Sequence, residues 1–108
     1  MDNLSEMLKG VLEGIVLEII GSGEIYGYEI AKRLSAIGLD GIAEGTLYAL
    51  LVRLERNKLV HIEKRPSEIG PPRKFYTLNE KGRVELASFW MRWEFLTERV
   101  NIIRGSGE

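Results

Sequence analysis

A chain of 108 residues with 44% hydrophobic and 29% charged side chains has room for one folded domain and lacks the charge excess of a disordered one. With 15 Lys and Arg against 16 Asp and Glu its formal charge is −1, which excludes a polybasic arm or an acidic tail, so any preference for a charged partner must come from local clustering. The absence of cysteine excludes a disulfide framework, a cysteine-ligated zinc and a thiol nucleophile, and with no apolar run of membrane-spanning length and no basic-then-hydrophobic leader, a soluble cytoplasmic protein is expected.

Leu8, Val11, Leu12, Ile15, Val16, Ile19 and Ile20 recur at three-and-four spacing and predict a first helix with a broad buried face, stopped by Gly21-Ser22-Gly23. A shorter second helix is predicted from about Tyr26 to Ile37, burying Ile30, Leu34 and Ile37, with Gly38 as its C-cap. After a turn bracketed by Gly41 and Gly45, a third helix is predicted over Glu44 to Asn57. Leu47, Leu50, Leu51 and Leu54 face inward, and Thr46, Ala49, Arg53 and Arg56 lie on the opposite face.

The period then changes. Val60, Ile62 and Lys64 alternate with His61, Glu63 and Arg65, a loop runs from Pro66 to Pro72, and Arg73 to Leu78 is rich in aromatic and β-branched residues, which together read as a two-stranded ribbon. Because proline cannot donate a ladder bond, the ribbon is not expected to belong to a larger sheet; it should project into solvent with its base resting on helices. A last helix, N-capped by Asn79 or Thr77 and helped by Glu80 in its first turn, is predicted to reach about Arg104. Its seam of Leu86, Phe89, Trp93, Leu96, Val100 and Ile103 would lie open to water on a lone helix, so its distal half is a candidate subunit interface.

Charge is distributed unevenly along this order. Residues 1–30 carry one base and six acids, net −5, whereas residues 53–74 carry seven bases and three acids, net +4. The positive stretch comprises the end of the third helix and the ribbon, which suits either a polyanion or an ordinary solvated surface. Three helices, a ribbon and a long helix form the order of a mainly α winged helix-turn-helix domain with an added dimerisation helix. In that architecture the third helix enters the major groove and the ribbon rides on neighbouring backbone or minor groove. The expected division is a winged helix-turn-helix unit at 1–78, a dimerisation helix at 79–104 within the same compact unit, and a frayed tail at 105–108.

Four segments carry a specific resemblance: Leu8-Lys9-Gly10, Tyr26-Gly27-Tyr28-Glu29-Ile30, Gly45-Thr46-Leu47-Tyr48 followed by Leu51-Val52-Arg53-Leu54-Glu55, and Arg73-Lys74-Phe75-Tyr76-Thr77-Leu78. In this order, over nearly the whole chain, they resemble the PadR family of transcriptional regulators, and the single C-terminal helix is similar to its smaller, multidrug-responsive subfamily. The resemblance implies a homodimer that represses by occupying a palindromic DNA operator and is released by a small aromatic or hydrophobic effector. Two departures stand out: Ala43 lies where relatives often carry a Ser or Asn helix cap, and Glu68 puts an acid at the ribbon tip, which weakens phosphate contact there.

Base reading needs side chains on the exposed N-terminal part of the inserted helix, a requirement met by Thr46, Tyr48, Ala49 and Arg53; phosphate contact needs cations on reachable stems, met by Lys64, Arg65, Arg73 and Lys74. The resemblance implies that Tyr48 approaches the DNA backbone and that Thr46 and Ala49 approach the bases; the other reading of Tyr48 is packing against the second helix with its hydroxyl wet. Successive strand residues face opposite sides, so only one of Arg73 and Lys74 is expected to touch DNA directly. The resemblance also implies that Trp93 pairs across the dimer and sandwiches flat ligands. Phe89, Trp90 and Leu96, with Leu8, Leu12 or Ile15, would then line the pocket, and ordinary interface core is the alternative.

Enzyme readings find little support. His61 is the sole histidine and is expected at the surface or rim, Gly21, Gly23 and Gly27 fail the spacing of a dinucleotide-binding turn, and Glu13 and Glu18 are wrongly spaced to face each other on a helix. No metal or cofactor is expected. A rival reading is a winged-helix ligand sensor or protein–protein adaptor without DNA binding, suggested by the net acidity, Glu68 and Ala43.

Overall fold

The computed structural model of the chain describes residues 4–42 and 44–105; Ala43, the expected cap, and Ser106 to Glu108 of the expected tail lie outside the described residues. The elements run α1 (Leu4–Leu8), α2 (Leu12–Gly21), β1 (Ile25–Tyr26), α3 (Gly27–Ala36), α4 (Glu44–Arg56), β2 (Val60–Arg65), β3 (Arg73–Leu78) and α5 (Glu80–Arg104). The predicted first, second and third helices correspond to α2, α3 and α4.

α2 is the central helix. Leu12, Val16, Leu17, Ile19 and Ile20 are all buried, on more than one face, because α3, β3 and α5 all pack against it. Ile30 and Leu34 of α3, the four leucines of α4, and Ile25, Val60, Tyr76 and Leu78 of the sheet complete one continuous core. The periodic run that begins at Leu8 is not one helix. Gly10 sits in a turn, where Lys9 and Val11 donate to Glu6 and Leu8 at i−3 and interrupt the i−4 ladder, so Leu8 ends α1 and α2 starts at Leu12.

α3 closes as expected at Gly38, which has a φ of +86°. The Gly38 N–H donates to the Ser35 carbonyl and the Leu39 N–H to that of Leu34, the paired bonds of a Schellman ending, and half-buried Leu39 seals the core. In this geometry Leu39 takes the inward place predicted for Ile37, which is instead 65% exposed. α4 ends by the same motif but without glycine: Lys58 adopts a φ of +59°, while Lys58 and Leu59 donate to Glu55 and Leu54. A left-handed conformation costs a non-glycine residue about 1–2 kcal/mol, part of which glycine's greater unfolded-state freedom offsets. Lys58→Gly is therefore expected to stabilise the fold by about 0.5–1 kcal/mol, read as a higher urea midpoint with an unchanged slope.

The sheet corrects the isolated-ribbon expectation. β2 and β3 pair antiparallel with Val60 opposite Leu78 and Arg65 opposite Arg73, as a ribbon should, but β1 pairs with the other edge of β3, giving the order β1-β3-β2. The prolines lie in the loop at the far end, so they leave the β3 edge near its base free to bond Ile25 and Tyr26. A two-residue strand has no period to detect.

α5 begins at Asn79, whose Oδ1 accepts from the Gly82 N–H at 2.8 Å; of the two expected caps it is Asn79 that serves. Its proximal seam is covered by α2, with Phe89 buried and Leu86 half-buried, whereas Leu96, Val100 and Ile103 are exposed, Ile103 to 86%.

Candidate nucleic-acid interface

The four buried leucines fix the roll of α4 and so decide which side chains face outward. Opposite them, Ala49, Val52 and Arg56 recur at helical spacing along the centre of the exposed face. Thr46 and Arg53, though exposed, stand on the flank facing α2, where Arg53 Nε lies 3.4 Å from Glu13 Oε1. The other flank carries Tyr48 and Glu55. Tyr48 lines an open cavity of about 340 Å³ with Gly27, Tyr28, Ala31 and Lys32 of α3. Of the base-reading candidates, Ala49 is thus central and Thr46, Tyr48 and Arg53 lateral, while Val52 at the centre was missed. A helical wheel centred on the four leucines contains the signal that would have found it.

The wing formed by β2 and β3 has two chemically distinct faces. Val60, Ile62 and Lys64 oppose Leu78, Tyr76 and Lys74, so one face starts in the core and runs out at the tip as a pair of lysines. Glu55 Oε1 of α4 is 3.7 Å from Lys74 Nζ, so this lysine pair is on the side of α4. Buried Tyr76 lies next along the same face; burial first, then the charge of Glu55 and the neighbouring Tyr48, push its phenol above the ordinary range.

The opposite face carries His61, Glu63, Arg65, Arg73, Phe75 and Thr77, with Tyr26 of β1 opposite Phe75. Here the Arg65 guanidinium stacks 4.2 Å from the centre of the Phe75 ring and donates to Glu24 at 2.6 Å and Glu63 at 2.9 Å. The hydrogen bond and charge of Arg65 hold the Glu63 carboxyl below its usual range. Arg73 stacks 5.0 Å from the Tyr26 ring. Of the four phosphate candidates, then, Lys64 and Lys74 share the side of α4, and Arg65 and Arg73 occupy the other side, brace the wing and tie it to β1. Among the described residues Lys64 has no ion-pair partner.

The effector candidates also separate. Phe89 packs its ring directly over Gly14 of α2, Trp93 stacks on Phe89 with ring centres 6.5 Å apart, and Trp90 meets both edge-on. The Trp90 indole N–H donates to Glu18 at 2.7 Å, which ties α5 to α2 within the chain. Leu12 is core and Leu8 and Ile15 are half-buried, while Trp93 at 38% exposure and Leu96 at 56% open onto the bare distal stripe. Glu13 and Glu18 were assigned no role from sequence because their partners lie 40 and 72 positions away.

No helix among the described residues is long and apolar enough to cross a membrane. Residues 16–88, from α2 into α5, match the model of the transcriptional regulator PadR-like family. A transcriptional regulator from Streptococcus of known structure is 43% identical, with a TM-score of 0.81 over 92% of this chain and 97% of that one. A PadR-like transcriptional regulator from Bacillus cereus is 40% identical, with a TM-score of 0.79 over 91% and 95% of the two chains. A PadR-like transcription factor from Bacteroides fragilis is 39% identical, with a TM-score of 0.79 over 94% and 99%. With the family model spanning the α3–α4 pair, the wing and the start of α5, the chain belongs to the PadR-like family of transcriptional regulators and is a DNA-binding regulator of transcription, not an enzyme.

Proposed function

We propose that the protein is a homodimeric repressor that occupies a palindromic operator, with α4 in the major groove and the wing lysines on flanking phosphates. One observation carries the reading: Lys64 and Lys74 stand directly opposite each other at the wing tip, on the side of α4. Like charges directly opposed on a strand pair are unfavourable; Glu55 offsets part of this at Lys74, and a polyanion would relieve the rest. In the dimer the two α4 helices lie about 34 Å apart, one turn of duplex, or are brought to that spacing on binding.

The reading is tested by electrophoretic shift with the upstream region of its own gene, titrated with salt. Log affinity falls steeply with log salt, and Lys74→Glu lowers affinity about tenfold or more on every sequence while reducing the salt slope by about one. Thr46→Ala changes the order of preference among sequences instead. Equal losses from both variants on all sequences contradict these roles. The rival sensor or adaptor reading draws support from the ion pairs that engage Arg53, Arg65 and Lys74 within the chain. Membership of a family of DNA-binding regulators weighs against it.

The effector reading rests on Trp93. Its ring, stacked on Phe89 and open on one side, offers half of a sandwich that a second copy would complete for a flat hydrophobic molecule. Planar aromatic compounds that relieve operator binding are expected to quench the fluorescence of Trp93, measured in a Trp90→Phe background. Release of operator without any change in that emission rules out Trp93 as the platform and leaves it as interface core.

A further inference from the structure

Val52 is an apolar side chain, 52% exposed, at the outward centre of α4. A lone exposed valine on a protein surface needs no explanation; the surroundings of this one are what matter. Ala49, one turn earlier, is too short to hold the helix off a surface, and Arg56, one turn later, supplies a cation at the C-terminal end of the same line. Glu55, three residues on, stands beside Lys74, so the wing lysines border the helix on its other flank. The pattern is a short apolar stretch, Ala49 and Val52, with the cation of Arg56 at its C-terminal end and the wing lysines beside it, Lys74 shared with Glu55.

Phosphates line the rims of the major groove, and the apolar group on its floor is the 5-methyl of thymine. A β-branched valine in a helix is held close to a single rotamer, so its two methyls point in a fixed direction and little entropy is lost on contact. We propose that Val52 is a specificity-determining residue that reads thymine 5-methyl groups, so that each operator half-site has a thymine at a fixed position. This rests on the reading that α4 enters the major groove.

The test uses the full chain and duplexes that it enriches from a random library. Each thymine is replaced in turn by deoxyuridine, which removes the methyl group and nothing else, and affinity is measured by fluorescence anisotropy. One symmetry-related pair of positions is expected to lose about fourfold per replacement, the factor contributed by burying one methyl-sized group. Val52→Ala should abolish that loss, and Val52→Ile should keep it. Because the side chain is exposed, both variants are expected to retain the parental melting temperature. Duplexes that bind but show no thymine sensitivity, or a sensitivity that Val52→Ala leaves unchanged, overturn the assignment while leaving the groove reading intact. A chain that enriches no duplex overturns both.

Discussion

Gly82→Ala is expected to cost about 3 kcal/mol or more and to lower the melting temperature by on the order of 10–20 °C. A Cβ at this position would be driven into the main-chain carbonyl of Leu59, and would also lie 3.1 Å from Leu78 Cδ2. The carbonyl cannot retreat cheaply, because it accepts the Asn79 N–H at 3.3 Å while Asn79 Nδ2 donates to Lys58 O at 2.8 Å. The Gly82 N–H is itself held by the Asn79 cap. A single methyl group therefore disturbs the helix cap, the end of α4 and the base of the wing together. Gly10→Ala is the control: nothing lies within 4 Å of a Cβ there, and the change should be neutral or slightly stabilising. Thermal unfolding of the variants at one fixed protein concentration distinguishes them, since association would make the midpoint depend on concentration. Equal midpoints for the two variants would mean that α5 does not approach the Leu59 carbonyl as closely as described.

The combined change Leu96→Glu with Val100→Glu is expected to weaken self-association by about 100-fold or more and to leave the monomer folded. Both side chains are exposed in the single chain, Val100 to 44%, so replacing them removes no core. In the proposed dimer they are buried by the partner copy, and taking two carboxylates per chain out of water costs several kcal/mol. Sedimentation equilibrium reads the loss directly. Operator affinity should fall with it, because two half-sites then bind separate monomers without the gain of a tethered second contact. A double variant that remains dimeric and binds operator normally would move the interface away from this stripe. Ala87→Glu, on an exposed part of α5 off the seam, should leave association unchanged.

Much of the local structure was legible along the chain. Three-and-four spacing identified α2, α3, α4 and α5, alternation identified β2 and aromatic and β-branched content β3, both to the residue, and Asn79 was one of two caps recognised by their chemistry. The segment proposed as the interface stood out in the same way, because the positive stretch and the α4–wing segment coincide. What failed depended on partners. Leu39, brought round by Gly38, displaces Ile37 from the core, and β1 exists because β3 offers it an edge.

By itself, then, the sequence determined the order of the longer elements, though not α1 or β1, together with the family and the segment that carries the cationic surface, since helical and strand periods are properties of neighbouring residues. Only the tertiary structure decided the direction of each charge. Lys64 and Lys74 are turned to the side of α4, Arg65 and Arg73 are spent on the braces to Phe75, Glu24 and Tyr26, and Val52 rather than Thr46 holds the centre of α4. The physical reason is that a side chain's direction follows from the strand register and from the roll imposed by the buried leucines. Its pairing follows from acids brought close by folding, Glu13 to Arg53 across 40 residues and Glu24 to Arg65 across 41.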